Sequence, residues 1–229
     1  MIIRCHRLGD LLTNPKTVDK SLLSETAKTM IREVWLYDKY GYKETVKSDP
    51  LEKGIYCEQE SLSLIKEVLG GKFRVKNKET LKNDIITGTP DIITSDAVED
   101  VKNSYSLKTF FAVTEKVDSG YYAQGQGYMW LTGIKNYRLI YTLNKTPEHI
   151  MLKREQSLWY SYYQESDNPD YKLALEQLRH NNNVIDTIPK KDRVKVIEFV
   201  FNNSFIEKIK DKHTKGTEYY NGLSLSLKK

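Results

Sequence analysis

Cysteine is scarce in this chain: 229 residues include only Cys5 and Cys57. Two thiols cannot build a disulfide framework, a four-cysteine zinc site or a four-cysteine iron–sulfur cluster within one chain. So few cysteines also suit a reducing compartment, and a cytoplasmic location is expected. Histidine is nearly as scarce. His6, His149, His180 and His213 are scattered with no HxH or HxxxH pair, which argues against a histidine-built zinc hydrolase. No GxGxxG or GxxxxGK[ST] occurs, so a dinucleotide fold or a P-loop engine has no support. No run approaches the ~18 apolar residues of a transmembrane helix. The opening Met1-Ile2-Ile3-Arg4-Cys5-His6-Arg7 lacks the apolar stretch of a signal peptide. No membrane partner is expected, and neither internal repeats nor low-complexity tracts interrupt the chain.

What the chain does have is charge on a globular background, with 39% hydrophobic and 29% charged residues. Lys and Arg total 36 against 31 Asp and Glu, a formal net charge of +5. That excess permits a nucleic-acid partner without requiring one. It is unevenly spread: residues 187–229 hold 10 basic and 5 acidic residues. Lys190, Lys191, Arg193 and Lys195 are therefore candidate phosphate contacts, with a solvated lysine face as the default.

Residues 1–50 read as mostly helical, with Ser24 capping a helix over Glu25 to Tyr40. After Pro50, a second helix is expected from Leu51 to Leu69, closed by Gly70-Gly71. Leu62, Ile65 and Leu69 fall at helical spacing toward the core. Residues 72–82 read as a basic strand or loop in which Phe73 and Val75 alternate. Two β-rich runs follow, Ile85 to Thr94 and Ala97 to Lys102, parted by Ser95-Asp96 as a hairpin turn. Ser119 to Leu131 reads as a helix ending at Gly133, and Tyr137 to Leu143 as a buried strand. Helices over Ile150 to Gln164 and Tyr171 to Asn181, a strand over Arg193 to Phe201 and a last helix over Ser204 to Asn221 complete the pass. This order predicts an α/β fold, a mixed central β-sheet flanked by helices, in one domain spanning 1–229.

The chemistry lies in the hairpin. With Ser95-Asp96 as a two-residue turn, Ile93 opposes Val98 and, continuing the count, Asp91 opposes Asp100. Directly opposed side chains have Cβ atoms roughly 4.5–5.5 Å apart. Two carboxylates held that way repel each other unless a cation joins them. Period-2 alternation puts Asp100 and Lys102 on one strand face. Oxygen ligands of this kind select Mg²⁺ or Mn²⁺ over zinc. Such an ion holds an attacking water, lowers its pKa and neutralises charge on a phosphoryl oxygen. Lys102 can orient or deprotonate that water, or stabilise the phosphate. A lone Asp-x-Lys is usually a solvated strand face; the Pro-Asp upstream makes it a constellation.

Pro90-Asp91 with Asp100-Val101-Lys102 resembles the signature of the PD-(D/E)XK nuclease superfamily. Tyr121-Tyr122-Ala123-Gln124-Gly125-Gln126-Gly127-Tyr128-Met129-Trp130-Leu131-Thr132-Gly133 is similar to the helix after the active-site hairpin in the lambda exonuclease and YqaJ-like family of viral recombination nucleases. Gln124 and Tyr128 also match the QxxxY pattern of RecB-type nucleases, and at i, i+4 they share one helix face. Lys53-Gly54-Ile55-Tyr56-Cys57-Glu58-Gln59-Glu60 is similar to the family helix that supplies a further acid. Gly54 followed by Glu58 fits best; Glu60 competes, and about 200° of helical rotation separates the two, so only one can face inward. Ile3 to Thr13 resembles the opening segment, where a basic residue and a serine bind the 5′-phosphate of a DNA end. His6 stands about where that serine is expected, and Arg4 or Arg7 is placed to hold a phosphate bidentately.

The resemblance implies a restriction-endonuclease-like fold and a Mg²⁺- or Mn²⁺-dependent deoxyribonuclease. It implies 5′ to 3′ hydrolysis of one strand of linear double-stranded DNA, leaving 3′ single strands for phage-type homologous recombination. Asp91, Asp100, the Val101 carbonyl and Glu58 would surround the metal. Lys102 would activate water, Gln124 would orient Lys102 or the phosphate, and Arg4, Arg7 and Tyr128 would contact DNA. A ring-shaped homotrimer on duplex ends and a single-strand annealing protein as partner are implied too. Two alternatives share these residues: an endonuclease of the same fold, and a non-catalytic DNA-binding recombination scaffold. Residues 146–190 carry no motif. Trp159-Tyr160-Ser161-Tyr162-Tyr163 is aromatic enough to stack bases, but a packed helix is the simpler reading.

Overall fold

The computed structural model describes residues 1–226 apart from 18, 20, 21, 46, 71–73 and 115. Gly71 and Phe73, used above, lie outside the described residues. The chain opens on a short strand rather than a helix, β1 (Ile3–Arg4), followed by a 3-10 turn over Cys5–Arg7 and α1 (Leu8–Leu11). Helix α2 (Glu25–Tyr40) begins where the Ser24 hydroxyl accepts from Ala27 N at 3.0 Å. It ends at Gly41, whose φ of 66° is open to glycine without strain.

The expected single helix over 51–69 is two helices, α3 (Asp49–Tyr56) and α4 (Glu58–Leu69), broken at Cys57. The break serves two different burial faces. Lys53 and Cys57 are buried, with Lys53 Nζ donating to Tyr105 O at 3.1 Å and Cys57 Sγ to Lys145 O at 3.4 Å. Helix α4 instead lays Ser61, Leu62, Leu64 and Ile65 inward, while Leu69 at its end is exposed. Val75 is exposed rather than alternating inward.

The β-rich run over 85–94 is also split. β2 (Leu81–Lys82) and β3 (Ile86–Gly88) join β1 in one sheet, ordered β1-β3-β2. β4 (Ile92–Ile93) pairs with β5 (Ala97–Asn103) in a second sheet. The switch falls at Thr89-Pro90-Asp91, where proline has no N–H to continue a ladder. After α5 (Leu107–Phe111) come α6 (Ser119–Thr132), β6 (Asn136–Thr142), α7 (Glu148–Ser161), α8 (Pro169–Asn183), β7 (Val194–Val200) and α9 (Asn203–Ser226). The second sheet is ordered β4-β5-β6-β7, with β5 and β6 parallel and the outer pairs antiparallel. The mixed α/β architecture expected from sequence is present, with the strands divided between two sheets.

Helix α6 is the centre of the molecule. Residues 123 to 129 are all buried, so it shows no single apolar stripe. Glycines let both of its sides be packed closely. A Cβ on Gly125 would lie 2.6 Å from Phe199 Cζ and 2.9 Å from Tyr137 Cε1, against the β6-β7 layer. A Cβ on Gly127 would lie 2.7 Å from Leu8 Cδ1 and 3.0 Å from Cys5 Sγ, against the N-terminal unit. Helix α9 then closes over the N-terminus. Ile206 and Ile209 enter the same core, Trp35 Nε1 donates to Ser224 Oγ at 3.1 Å, and Tyr220 donates to Asp38 at 2.8 Å. Among the described residues, no helix is long and apolar enough to cross a membrane.

Candidate active site

The β4-β5 turn is built from its own side chains. Thr94 N donates to Ala97 O at 2.9 Å, Ala97 N to Thr94 Oγ1 at 3.0 Å, and Thr94 Oγ1 to Asp96 Oδ1 at 2.8 Å. This secures the two-residue turn and the register Ile93 to Val98 and Ile92 to Glu99. One step further, Asp91 stands opposite Asp100. The Asp91 carboxylate folds over the strand and accepts from Val101 N at 2.8 Å. Val101 thus meets Asp91 through its N–H.

Asp100 is 2% exposed, and its Oδ2 lies 2.5 Å from Lys102 Nζ. The contact is a charge pair rather than an aligned hydrogen bond, since Oδ2 has no hydrogen-bond partner among the described residues. Burial first, and the charge of Asp100 second, push the Asp91 carboxyl up to about 7. Burial pulls the Lys102 ammonium down, but Asp100 and then Asp91 outweigh it, and the net shift is upward. Lys102 therefore holds its proton, and its ammonium lies 5.1 Å from the centroid of the Tyr121 ring.

Gln124 and Tyr128 face the same place from α6. Gln124 Nε2 donates to the Tyr128 hydroxyl at 3.0 Å, and among the described residues no hydrogen bond joins Gln124 to Lys102. Tyr128 is 5% exposed, a core residue packed beside Cys5 and Gly88. So covered, the ring supports Gln124. Burial first, then Asp100, hold the phenol above its ordinary range.

Glu58 does not join the pair. Its carboxylate is ion-paired with Lys76, and Glu60 is exposed. No cluster of three His, Cys, Asp or Glu able to hold a metal occurs among the described residues. The donor set of Asp91 and Asp100 still fits a hard divalent ion. It is all oxygen, Asp100 is buried and Asp91 half-buried, and the two carboxylates are crowded enough to retain a proton that a cation would replace. Mg²⁺ is commonly held by one or two carboxylates, with water and substrate phosphate completing its shell.

Of the N-terminal residues, Arg4 is exposed in β1 and has no ion pair among the described residues. Arg7 is committed to Asp10 and Glu33, each at 2.8 Å. Partial burial, then Arg4, Arg7 and Lys102, lower the His6 imidazole pKa. The N-terminal turn and Lys102 thus share one positive field. In the basic C-terminal segment, Lys190 pairs with Glu67, and Lys195 donates to Phe110 O and Val113 O. Of Lys190, Lys191 and Lys195, Lys191 is exposed and has no such commitment among the described residues.

Tyr121, under Lys102, opens the helix motif of the sequence but has no role assigned by it. Two other site neighbours have no sequence motif to announce them: Lys76 on Glu58, and fully buried Glu99 held by Arg74 and Arg138. Period-2 alternation places Glu99 on the sheet face opposite Asp100, which marks it as structural. Tertiary contacts from 25 and 39 residues away give it its partners.

No protein-family model and no curated protein sequence matches the chain. Solved structures do. A phage-related exonuclease from Haemophilus somnus 129PT superposes with a TM-score of 0.79 at 24% identity, covering 99% of this chain and 96% of that one. An alkaline exonuclease from Laribacter hongkongensis superposes with a TM-score of 0.66 at 12% identity, covering 99% and 91%, and its complex with dAMP gives 0.65. This chain is therefore a mixed α/β protein with the fold of these exonucleases along nearly its whole length.

Proposed function

We propose that the protein is a metal-dependent DNA exonuclease acting on the ends of linear double-stranded DNA, 5′ to 3′, with Mg²⁺ or Mn²⁺. The observation that carries this reading is the pairing of half-buried Asp91 with buried Asp100 beside Lys102, set at a hairpin end in a fold shared with exonucleases. The homotrimeric ring and the annealing-protein partner implied by the sequence motifs belong to the same proposal.

Asp91 and Asp100 would hold the ion, with the Val101 carbonyl nearby and Glu58, from the start of α4, as a further acid. When bound, the ion supplies an acidified water and charge neutralisation at the scissile phosphate. Lys102 would activate the water, or present its charge to the phosphoryl oxygens as negative charge builds on them. Its ammonium is positioned by Asp100 on one side and the Tyr121 ring on the other. Gln124, braced by Tyr128, offers an amide to a phosphate oxygen. Arg4, exposed near His6 and without an ion pair among the described residues, is placed for the terminal phosphate.

Digestion of end-labelled linear duplex, with and without a 5′-phosphate and in Mg²⁺ or chelator, tests this reading. Shortening of the linear duplex from its 5′ ends in Mg²⁺ is expected, with covalently closed circles left intact. Asp91→Ala and Lys102→Ala should each lower the rate by on the order of 10²–10³-fold with an unchanged melting profile. Nicking of closed circles would instead mark an endonuclease of the same fold. Normal digestion by Asp91→Ala would sink the assignment.

A further inference from the structure

Segment 74–77 runs alongside the strand that carries Asp91. Arg74 pairs with buried Glu99 at 2.8 Å, and Lys76 forms an antiparallel bridge with Ile92. Asn77 N donates to Asp91 O at 2.7 Å, and Asn77 Nδ2 donates to Pro90 O at 3.1 Å. These contacts set the Lys76 backbone beside the residue that follows Asp91. From there its ammonium reaches Glu58, the first residue of α4. Glu58 is the acid that the sequence motif marks for the metal, yet it is turned to Lys76 and not gathered with Asp91 and Asp100.

We infer that Lys76 is a positioning residue that latches Glu58 away from the Asp91–Asp100 site until a divalent cation draws it in. The inference rests on the metal-site reading above. Lys76 and Glu58 side chains are 40% and 39% exposed. An ion pair that wet is weak, while a carboxylate gains far more from a doubly charged ion at a buried pair of ligands. The latch is therefore strong enough to set the resting position of Glu58 and too weak to hold it against the ion. The bound cation and the Lys76 ammonium compete for one carboxylate, so removing the ammonium should favour the cation.

Titration with Mn²⁺, followed by the electron paramagnetic resonance signal of the free ion, tests this on the full chain without reference to cleavage. Lys76→Met should bind Mn²⁺ about two- to fivefold more tightly than the parent, the scale set by a half-exposed pair. Lys76→Gln should do the same with a polar side chain, and Lys76→Arg should keep the parental affinity. Glu58→Gln should weaken binding about tenfold. In the Glu58→Gln background, Lys76→Met should change nothing. Unchanged or weaker binding by both uncharged Lys76 variants overturns the latch. So does an equal gain in the Glu58→Gln background, because Lys76 would then act as a plain repulsive charge. Asp91→Ala separates the two readings. If it abolishes Mn²⁺ binding while Lys76→Met is silent, the metal site stands and the latch falls. If the parent protein binds no Mn²⁺, both fall.

Discussion

Burial of charge divides the ionisable residues of this protein into two kinds. Asp91, Asp100 and Lys102 are crowded together, a charge conflict of the kind that marks a candidate functional site. Lys53 is buried without such a purpose in view: it is 1% exposed and holds one carbonyl, Tyr105 O. Burial, the largest influence, pulls its ammonium down to about 8. The folded chain then binds this proton less tightly than the unfolded chain, whose lysine titrates near 10.4. Stability from this group is lost as pH falls through 8 and regained as pH rises from 8 toward 10.4. Lys53→Met should stabilise the protein at pH 7 by on the order of 1–3 kcal/mol, less whatever the lost hydrogen bond contributed. The advantage should shrink above pH 10. Urea melts of both proteins at pH 7 and pH 10 measure it, and equal stability at the two pH values would refute it. The catalytic candidates were legible in the chain because hairpin register is local arithmetic. Lys53 was not, because a lysine on an amphipathic helix looks the same in sequence whether it is solvated or covered.

Among the elements, α6 shows how one segment can be core and site at once. The segment 121–133 that carries the motif is also packed core, buried from Ala123 to Met129. Gln124 and Tyr128 reach toward Asp100, while Gly125 and Gly127 admit neighbours on opposite sides, about 200° apart on the helix. Gly125→Val would drive a branched side chain into Phe199 and Tyr137. A loss of about 1–3 kcal/mol by overpacking is expected, read as a lowered Tm, with the Asp91–Asp100 hairpin on the other side of β5 from β6 less affected. Elsewhere, propensity and periodicity overran the true boundaries. They joined α3 to α4 across Cys57 and β3 to β4 across Pro90. In each case the local pattern continues, and only the packing partner changes: α3 turns to Tyr105 and Lys145, β4 leaves the β1-β3-β2 sheet for β5.

On the scale of the whole molecule, the two ends of the chain depend on each other. Helix α9 inserts Ile206 and Ile209 into the core shared with Leu8, Leu11, Met30 and Ile31. Its polar contacts, Arg32 to Tyr219 at 3.1 Å and Trp35 to Ser224 at 3.1 Å, span nearly the whole sequence. A chain ending at Asn202 should therefore lose its cooperative thermal transition and bind a hydrophobic dye; a sharp melt in the truncated chain would show that α9 is an accessory. The same long-range closure brings Arg4 and His6 to the side of the sheet where Lys102 lies.

By itself, the sequence determined what depends on neighbours close along the chain. That covers the alternation and turn that set Asp91 against Asp100, the i, i+4 pairing of Gln124 and Tyr128, and the capped start of α2. Tertiary structure alone decided which charges are buried and which are answered. It turned Glu58 to Lys76, tied Arg7 to Glu33, enclosed Tyr128, and divided the strands between two sheets. The physical reason is one of range. Backbone hydrogen bonding and side-chain periodicity act over a few residues, whereas burial and electrostatic pairing depend on groups that meet only after the chain has closed on itself.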